Sequence, residues 1–321
     1  MANFALTGLF NKFYGVVIRK GDLLMNLSYR KKLKDLSSLL LFIAPFTVLY
    51  IIFLLFPLVQ GAFYSFTDWN GISSNVRFIG LTNYIEAFTN DKRFINSLIV
   101  TGKYTVATVL ISNIVGLGLA LFIENSVKIK HMLRTLFFVP YIFSLVVVGF
   151  SWKFIYTKIA TNIYQLTNIG FFNLDFLGSH KIALISVIFM SVWHGMGYYM
   201  LIYIAGIQSI DQYILEAATI DGASGWKKFR YIKFPLLMPS VTICVFTCLA
   251  GSLKIFESIF VLTSGGPGYA TETIAVNIYN EAFGSANLYG YGTAKAVVLA
   301  LIIMVVSFIQ LSYFKSKEVE A

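Results

Sequence analysis

The sequence predicts an all-α, polytopic membrane protein with six transmembrane helices, and three observations carry that expectation. Of 321 residues, 57% are hydrophobic and only 12% charged, against roughly a quarter charged in soluble domains. Mean hydropathy is +0.74. The apolar residues gather into runs long enough to cross a bilayer, which takes about 20 residues per helix. These runs are 39–66, 97–123, 133–156, 182–207, 241–263 and 292–314. They lack the two-residue polar alternation of an outer-membrane barrel.

The chain divides into a basic, amphipathic segment 1–36, a membrane domain 37–315 with a long loop at 208–239, and a tail 316–321. No cleavable signal peptide is read, because the first long run is too long for a signal core. Residues 4–27 mix apolar side chains with Lys12, Arg19 and Lys20 and read equally as an interfacial helix or a mobile basic tail. The first span carries Pro45 and Pro57, predicting bends near its ends. A turn at Thr67-Asp68-Trp69-Asn70-Gly71 follows, then a short amphipathic helix starting at Phe78. In the second span Gly116, Gly118 and Ala120 allow close helix approach. The third contains Pro140. After the fifth, Gly265-Gly266-Pro267-Gly268 forces a tight turn.

Charge placement predicts orientation. Lys12, Arg19, Lys20, Arg30, Lys31, Lys32, Lys34, Lys128, Lys130, Arg134, Lys227, Lys228, Arg230, Lys233, Lys315 and Lys317 fall on one side. Arg77, Lys92, Arg93, Lys158 and Lys181 fall on the other. The positive-inside rule puts the richer side, with both termini, in the cytoplasm. The net charge of +10 then reads as topology and contact with anionic membrane lipid, not as a nucleic-acid interface.

Enzyme chemistry lacks parts. His131, His180 and His194 lie in separate segments, no metal set is spaced for ligation, and no cofactor site is predicted. The Gly-Lys pair Gly102-Lys103 lacks the leading Gly and trailing Ser/Thr of a phosphate-binding loop, so any ATP-driven step needs a partner's ATPase. Cys244 and Cys248 read as small packing residues. Lys254 and Glu257 are spaced i, i+3 within the fifth run; they predict a mutual ion pair or a lining of the transport path, with the pair favoured. Lys103, Lys153 and Lys295 fall near span ends and are expected to snorkel.

The loop 208–239 holds the most informative residues. Glu216-Ala217-Ala218 favours helix, Asp221-Gly222-Ala223 a hinge, and Phe229, Ile232 and Trp226 could anchor a second helix ended by Pro235 and Pro239. Glu216 is expected to cap or to pair with a basic group. An ordinary basic helical hairpin is the plainer reading. The pattern resembles the cytoplasmic coupling loop of ATP-binding-cassette (ABC) importer permeases. Leu262-Thr263 before the Gly-Gly-Pro turn, Thr271, Ala282-Phe283 and Tyr291-Gly292-Thr293-Ala294 resemble the carbohydrate-uptake branch. Ala44-Pro45, Asp68-Trp69 and Phe78-Gly80-Asn83-Tyr84 resemble its first, MalF-like subunit type.

The resemblance implies a type I ABC importer permease fold, a heterodimer with a second homologous permease subunit, two ATP-binding subunits and an extracellular or periplasmic sugar-binding protein. It implies ATPase coupling through Glu216, Ala217, Ala218, Asp221, Gly222 and Ala223. It also implies carbohydrate contact by Ser191, His194, Gly195 and Tyr198, and by Cys248, Gly251, Ser252 and Ile255, although the same stripes read equally as helix packing. Unlike the maltose permease, the chain has neither a large outer domain nor extra N-terminal spans. Rival readings are an ABC permease for a polyol or glycerol phosphate, and a self-contained channel or secondary transporter. The last would need paired broken helices and a midplane carboxylate cluster, neither of which the sequence suggests.

Overall fold

The computed structural model describes residues 39–124, 129–284 and 288–318. The basic segment 1–36, Lys128 and residues 319–321 lie outside these. The chain divides into two compact units, one ending at Gly61 and the other beginning at Ala62. Helix α1 (Leu39–Tyr64) is continuous past Pro45. A π turn at Ile51–Leu55 is separated from Pro57 by Phe56 alone, widening the helix where the proline can donate no hydrogen bond.

In the second unit the chain emerges through a single β-bridge, Thr67 with Phe78. Phe78 is therefore bridged, and helix α2 begins later than the sequence suggests, at Thr82–Thr89. Buried Asn83 donates to the carbonyls of Ser65 and Thr67, both at 2.9 Å. The long helix α3 (Lys92–Glu124) follows. Gly116 and Ala120 sit on its buried face and Gly118 does not, while Val106, Leu110 and Ile114 point outward.

The third apolar run is not one straight span. Helix α4 (Lys130–Ile142) and helix α5 (Leu145–Thr167) meet at 94°. Pro140 occupies the last turn of α4 and Phe143 is extended, as a proline-weakened helix end allows. Helix α6 (Ala183–Gln208) is continuous and packs most extensively against α3. The loop then forms α7 (Gln212–Ile220) and α8 (Gly225–Leu236), and α8 meets α9 (Met238–Leu253) at 68°. Pro235 lies inside α8, and the break falls at Leu237, with Pro239 in the first turn of α9, where its missing donor costs nothing. The fifth run also breaks. After Leu253 the chain leaves helix until α10 (Glu257–Leu262). Helices α11 (Ile274–Phe283) and α12 (Tyr289–Lys315) complete the bundle. Among the described residues four helices are thus long and apolar enough to cross a membrane unbroken, rising to six if each bent pair counts as one.

Three apolar clusters fill the bundle: one around Tyr104, Met190 and Ile259, one around Tyr203, Leu237 and Cys244, and one around Phe94, Ile274 and Leu299. Cys244 and Cys248 are buried free thiols.

The charges depart most from expectation. Lys295 does not snorkel. It is fully buried, with Nζ 2.6 Å from Asp91 Oδ2, 3.0 Å from Asn277 Oδ1 and 3.4 Å from Glu281 Oε1. Tyr291 donates to the same Asp91 oxygen at 2.9 Å, and the Phe94 N–H serves the other at 2.8 Å. Burial works against the Asp91 carboxylate, but Lys295, the Phe94 N–H and Tyr291 together hold its pKa below the ordinary value. Beside this cluster Arg93 grips buried Glu272 through two bonds of 2.7 and 2.5 Å, with Asn280 donating to Glu272 at 2.9 Å. Lys153 donates to the Val261 carbonyl at 3.1 Å; Lys103 is exposed. Lys254 and Glu257 form no ion pair: the helix ends between them and both side chains are exposed.

Removing the cation strands two half-buried carboxylates, so Lys295→Ala should destabilise the chain by up to roughly 3–5 kcal/mol, read as detergent-solubilised unfolding. Arg93→Ala, at a side chain one-third exposed, should cost less.

Candidate functional site

The hairpin at 208–239 is built by local rules. Asp211 caps α7, its Oδ1 accepting from the Tyr213 N–H at 2.9 Å, as side-chain oxygens do at helix starts. The helix therefore starts before the Glu-Ala-Ala triplet. It ends in a paired closure: the Gly222 N–H bonds the Thr219 carbonyl at 3.1 Å and the Ala223 N–H bonds that of Ala218 at 2.9 Å. Gly222 has φ of +81°, the left-handed conformation such a terminus needs and that side chains resist. Lys228 of α8 donates to Thr219 Oγ1 at 2.8 Å, locking the two helices.

Glu216, Ala217, Asp221 and Gly222 are exposed, Ala223 is half-buried and Ala218 is buried. Glu216 accepts from Gln212 at 2.9 Å instead of from a basic group. Phe229 and Ile232 are half-buried, whereas Trp226 is 72% exposed and lies against the Phe229 ring. Leu237, fully buried, fixes the α8–α9 bend into the cluster with Ile204, Ile207 and Val241. The hairpin is thus an exposed pair of short helices riveted to the bundle.

On α6, Ser191, His194, Gly195 and Tyr198 share a face by their i, i+3, i+4, i+7 spacing. The structure gathers His194 and Tyr198 around Tyr141 of α4: Tyr198 stacks on it at 4.7 Å, and His194 lies 5.5 Å away. His194 Nε2 is 3.1 Å from the Phe143 carbonyl at the α4–α5 break. A carbonyl can only accept, so that nitrogen must carry the proton. Gly195 lies under the Tyr199 ring. Ser191 is half-buried beside Tyr104 but finds no partner at full hydrogen-bond geometry.

The α9 set divides. Cys248 and Ser252 turn into the core, with Ser252 Oγ donating to the Cys248 carbonyl at 2.6 Å, while Gly251 is exposed. Ile255 lies in the break beyond α9, and its carbonyl accepts from Thr273 at 3.0 Å. The structure therefore does not gather all eight residues around one wall.

Sequence reading missed a hydroxyl ladder on α3. Thr101, Thr105, Thr108 and Ser112 recur at i, i+4, i+7 and i+11, which places them on one face, and all are buried together with Tyr104. Among the described residues Thr105, Thr108 and Ser112 find no partner at full hydrogen-bond geometry, while Thr101 receives the Ile274 N–H at 2.9 Å. Ser112 approaches Cys248, and Thr108 and Ser191 approach Tyr104. A polar seam thus runs between α3, α6 and α9. Its spacing was visible in the sequence. Among the described residues no three His, Cys, Asp or Glu side chains gather at metal-binding distance.

Comparisons with known proteins place these features. Residues 112–316 match the family described as binding-protein-dependent transport system inner membrane component. A probable starch degradation products transport system permease protein, AmyD, of Thermoanaerobacterium thermosulfurigenes is 41% identical, covering 87% of this chain and 94% of that one. The multiple sugar-binding transport system permease protein MsmF of Streptococcus mutans is 34% identical, covering 85% and 93%. A crystal structure of a bacterial ABC transporter that imports the acidic polysaccharide alginate superposes with TM-score 0.77 at 22% identity, covering 89% of this chain and 98% of that one. That likeness establishes the fold.

Close packing at the site gives a direct test. An added Cβ at Gly197 would sit 2.1 Å from the Phe137 carbonyl oxygen, whereas one at Gly251 meets nothing within 4 Å. Gly197→Ala should lower unfolding stability by at least roughly 1–3 kcal/mol through overpacking, with Gly251→Ala unchanged in the same melt.

Proposed function

Since the chain belongs to the binding-protein-dependent transport system inner membrane component family, we propose that it is the membrane-spanning permease subunit of an ATP-driven importer of carbohydrate, oligosaccharide in particular. It forms half of the translocation pathway, with a second homologous permease subunit supplying the other half. Two ATP-binding subunits hydrolyse the nucleotide, and an extracellular or periplasmic binding protein delivers the sugar. Residues 37–315 form the permease domain, and both termini face the cytoplasm of a bacterial cell. The sugar names of the 41% and 34% identical relatives favour carbohydrate.

The observation that carries this reading is the exposed, internally locked hairpin α7–α8. A coupling element must project, resist bending and be fixed to helices that move. Glu216, Ala217, Asp221 and Gly222 are presented outward, the Lys228–Thr219 bond stiffens the pair, and buried Leu237 passes displacement into α9. ATPase closure pushes the hairpin, and α6 and α9 swing about the α3 seam. The unpartnered hydroxyls of that seam are the groups a hydroxyl-rich solute or its water would satisfy once the helices part. Of the residues expected to contact sugar, Ser191 and Cys248 border this seam and Ser252 packs beside Cys248. His194, Gly195 and Tyr198 follow on α6, while Gly251 and Ile255 lie outside the seam. Solute shifts the equilibrium only by binding the two states unequally.

Gly222→Asp places a side chain at φ of +81° and adds charge to the exposed contact. It should abolish solute-stimulated ATPase activity in the reconstituted importer while membrane insertion stays normal; wild-type uptake by this variant would refute the lever. Tyr198→Ala removes a stacking ring worth roughly 0.5–1.5 kcal/mol, so KM for uptake should rise about two- to twelvefold with assembly unaltered. Unchanged kinetics would take Tyr198 out of the path. An uptake panel of maltodextrins, other oligosaccharides and glycerol 3-phosphate, in a strain lacking this chain, separates the substrate classes.

A further inference from the structure

The segment between α5 and α6 has no role in the transport reading, yet it builds a cavity. Phe171 and Phe172 fold over Ile155, Ile159 and Ile163 of α5 and Phe189 of α6, closing a half-open groove of about 530 Å³. The polar lining groups are turned into the wall and paired there. Tyr156 donates to the Ser186 carbonyl at 2.9 Å, and Ser186 Oγ donates to that of Phe176 at 2.8 Å. The groove surface is left wholly apolar.

Its shape and lining point to the occupant. From Trp152 to Ile163 the groove follows α5 for roughly 17 Å at 1.5 Å per residue, long and dry as a hydrocarbon chain requires. At one end a 320 Å³ apolar recess shares Trp152 and Ile155 and reaches Phe143 and Trp193. Beside the groove a 290 Å³ pocket shares Tyr156, Phe172, Leu174 and Phe176 with it but adds polar Thr157, Thr161, Asn173 and Asp175. In sequence exposed Lys158 lies between Thr157 and Thr161, and exposed Lys181 follows the pocket's last residue, Leu177. A long dry groove beside a polar pocket has the profile of an amphiphile.

We propose that this groove holds one acyl chain of a membrane phospholipid, with its headgroup in the Thr157–Asp175 pocket. The lipid clamps α5 to α6 behind the α4–α5 bend.

The test is native mass spectrometry of the full-length chain, alone and co-assembled with its second permease subunit, released from nanodiscs of phosphatidylethanolamine and phosphatidylglycerol. One phospholipid should persist per copy of this chain in both forms. Ala160→Phe and Ile163→Trp, which fill the groove, should each cut that occupancy at least tenfold. Ile114→Trp, on the exposed face of α3, should leave it unchanged. Should Ala160→Phe fail to fold, Ile163→Trp at the groove rim decides alone, its folding checked by thermal melt. Undiminished occupancy in a folded groove-filled variant overturns the proposal. So does loss of the lipid on co-assembly, which would mean that the subunit covers the groove.

Discussion

Inside a bilayer no water satisfies a polar group, so each one must find its partner within the protein. That constraint explains how this chain tolerates so many interruptions. Its helices break at Phe143 and between Leu253 and Glu257, and α10 ends at Leu262. At each place a side chain from another element collects a carbonyl: His194 at Phe143, Thr273 at Ile255 and Lys153 at Val261. The breaks are built into the bundle by tertiary hydrogen bonds. The same rule accounts for Lys295, whose ammonium is held by two carboxylates and an amide instead of reaching for the interface.

From this follows a division of labour along the chain. One end of the bundle is rigid, because the Lys295 and Arg93 clusters join α3, α11 and α12 through buried ionic bonds. The far end of α3 is tied more lightly, by Arg134 to Glu124 at 3.0 Å and by long contacts from Gln208. Beyond it projects the α7–α8 hairpin. Between the two ends lies the seam of unpartnered hydroxyls, the part of the core least committed to its present packing. A bundle stiff at one end and loosely joined in the middle suits rocking motion of whole helices better than local loop opening.

His194 shows why a residue's role is decided by its neighbours. As a polar ring on an apolar helix it invites assignment to a solute. The fold sets its Nε2 on the carbonyl released by the α4–α5 break and its ring near Tyr141, so any contact with sugar must use the remainder of a side chain already engaged in holding a bend.

The sequence alone determined the class of protein, the hairpin and the location of the apolar runs, because these rest on composition and on short-range rules: run length, the helix-favouring Glu216-Ala217-Ala218, and Gly222 at a left-handed terminus. The α3 ladder was equally legible from its helical spacing. Tertiary structure decided what those rules do not reach. It turned the third run through 94°, split the fifth, buried Lys295, separated Lys254 from Glu257, and faced Gly251 outward while Cys248 and Ser252 turned in. Each outcome depends on which distant group arrives to satisfy a carbonyl or a charge, and sequence separation carries no record of such a meeting.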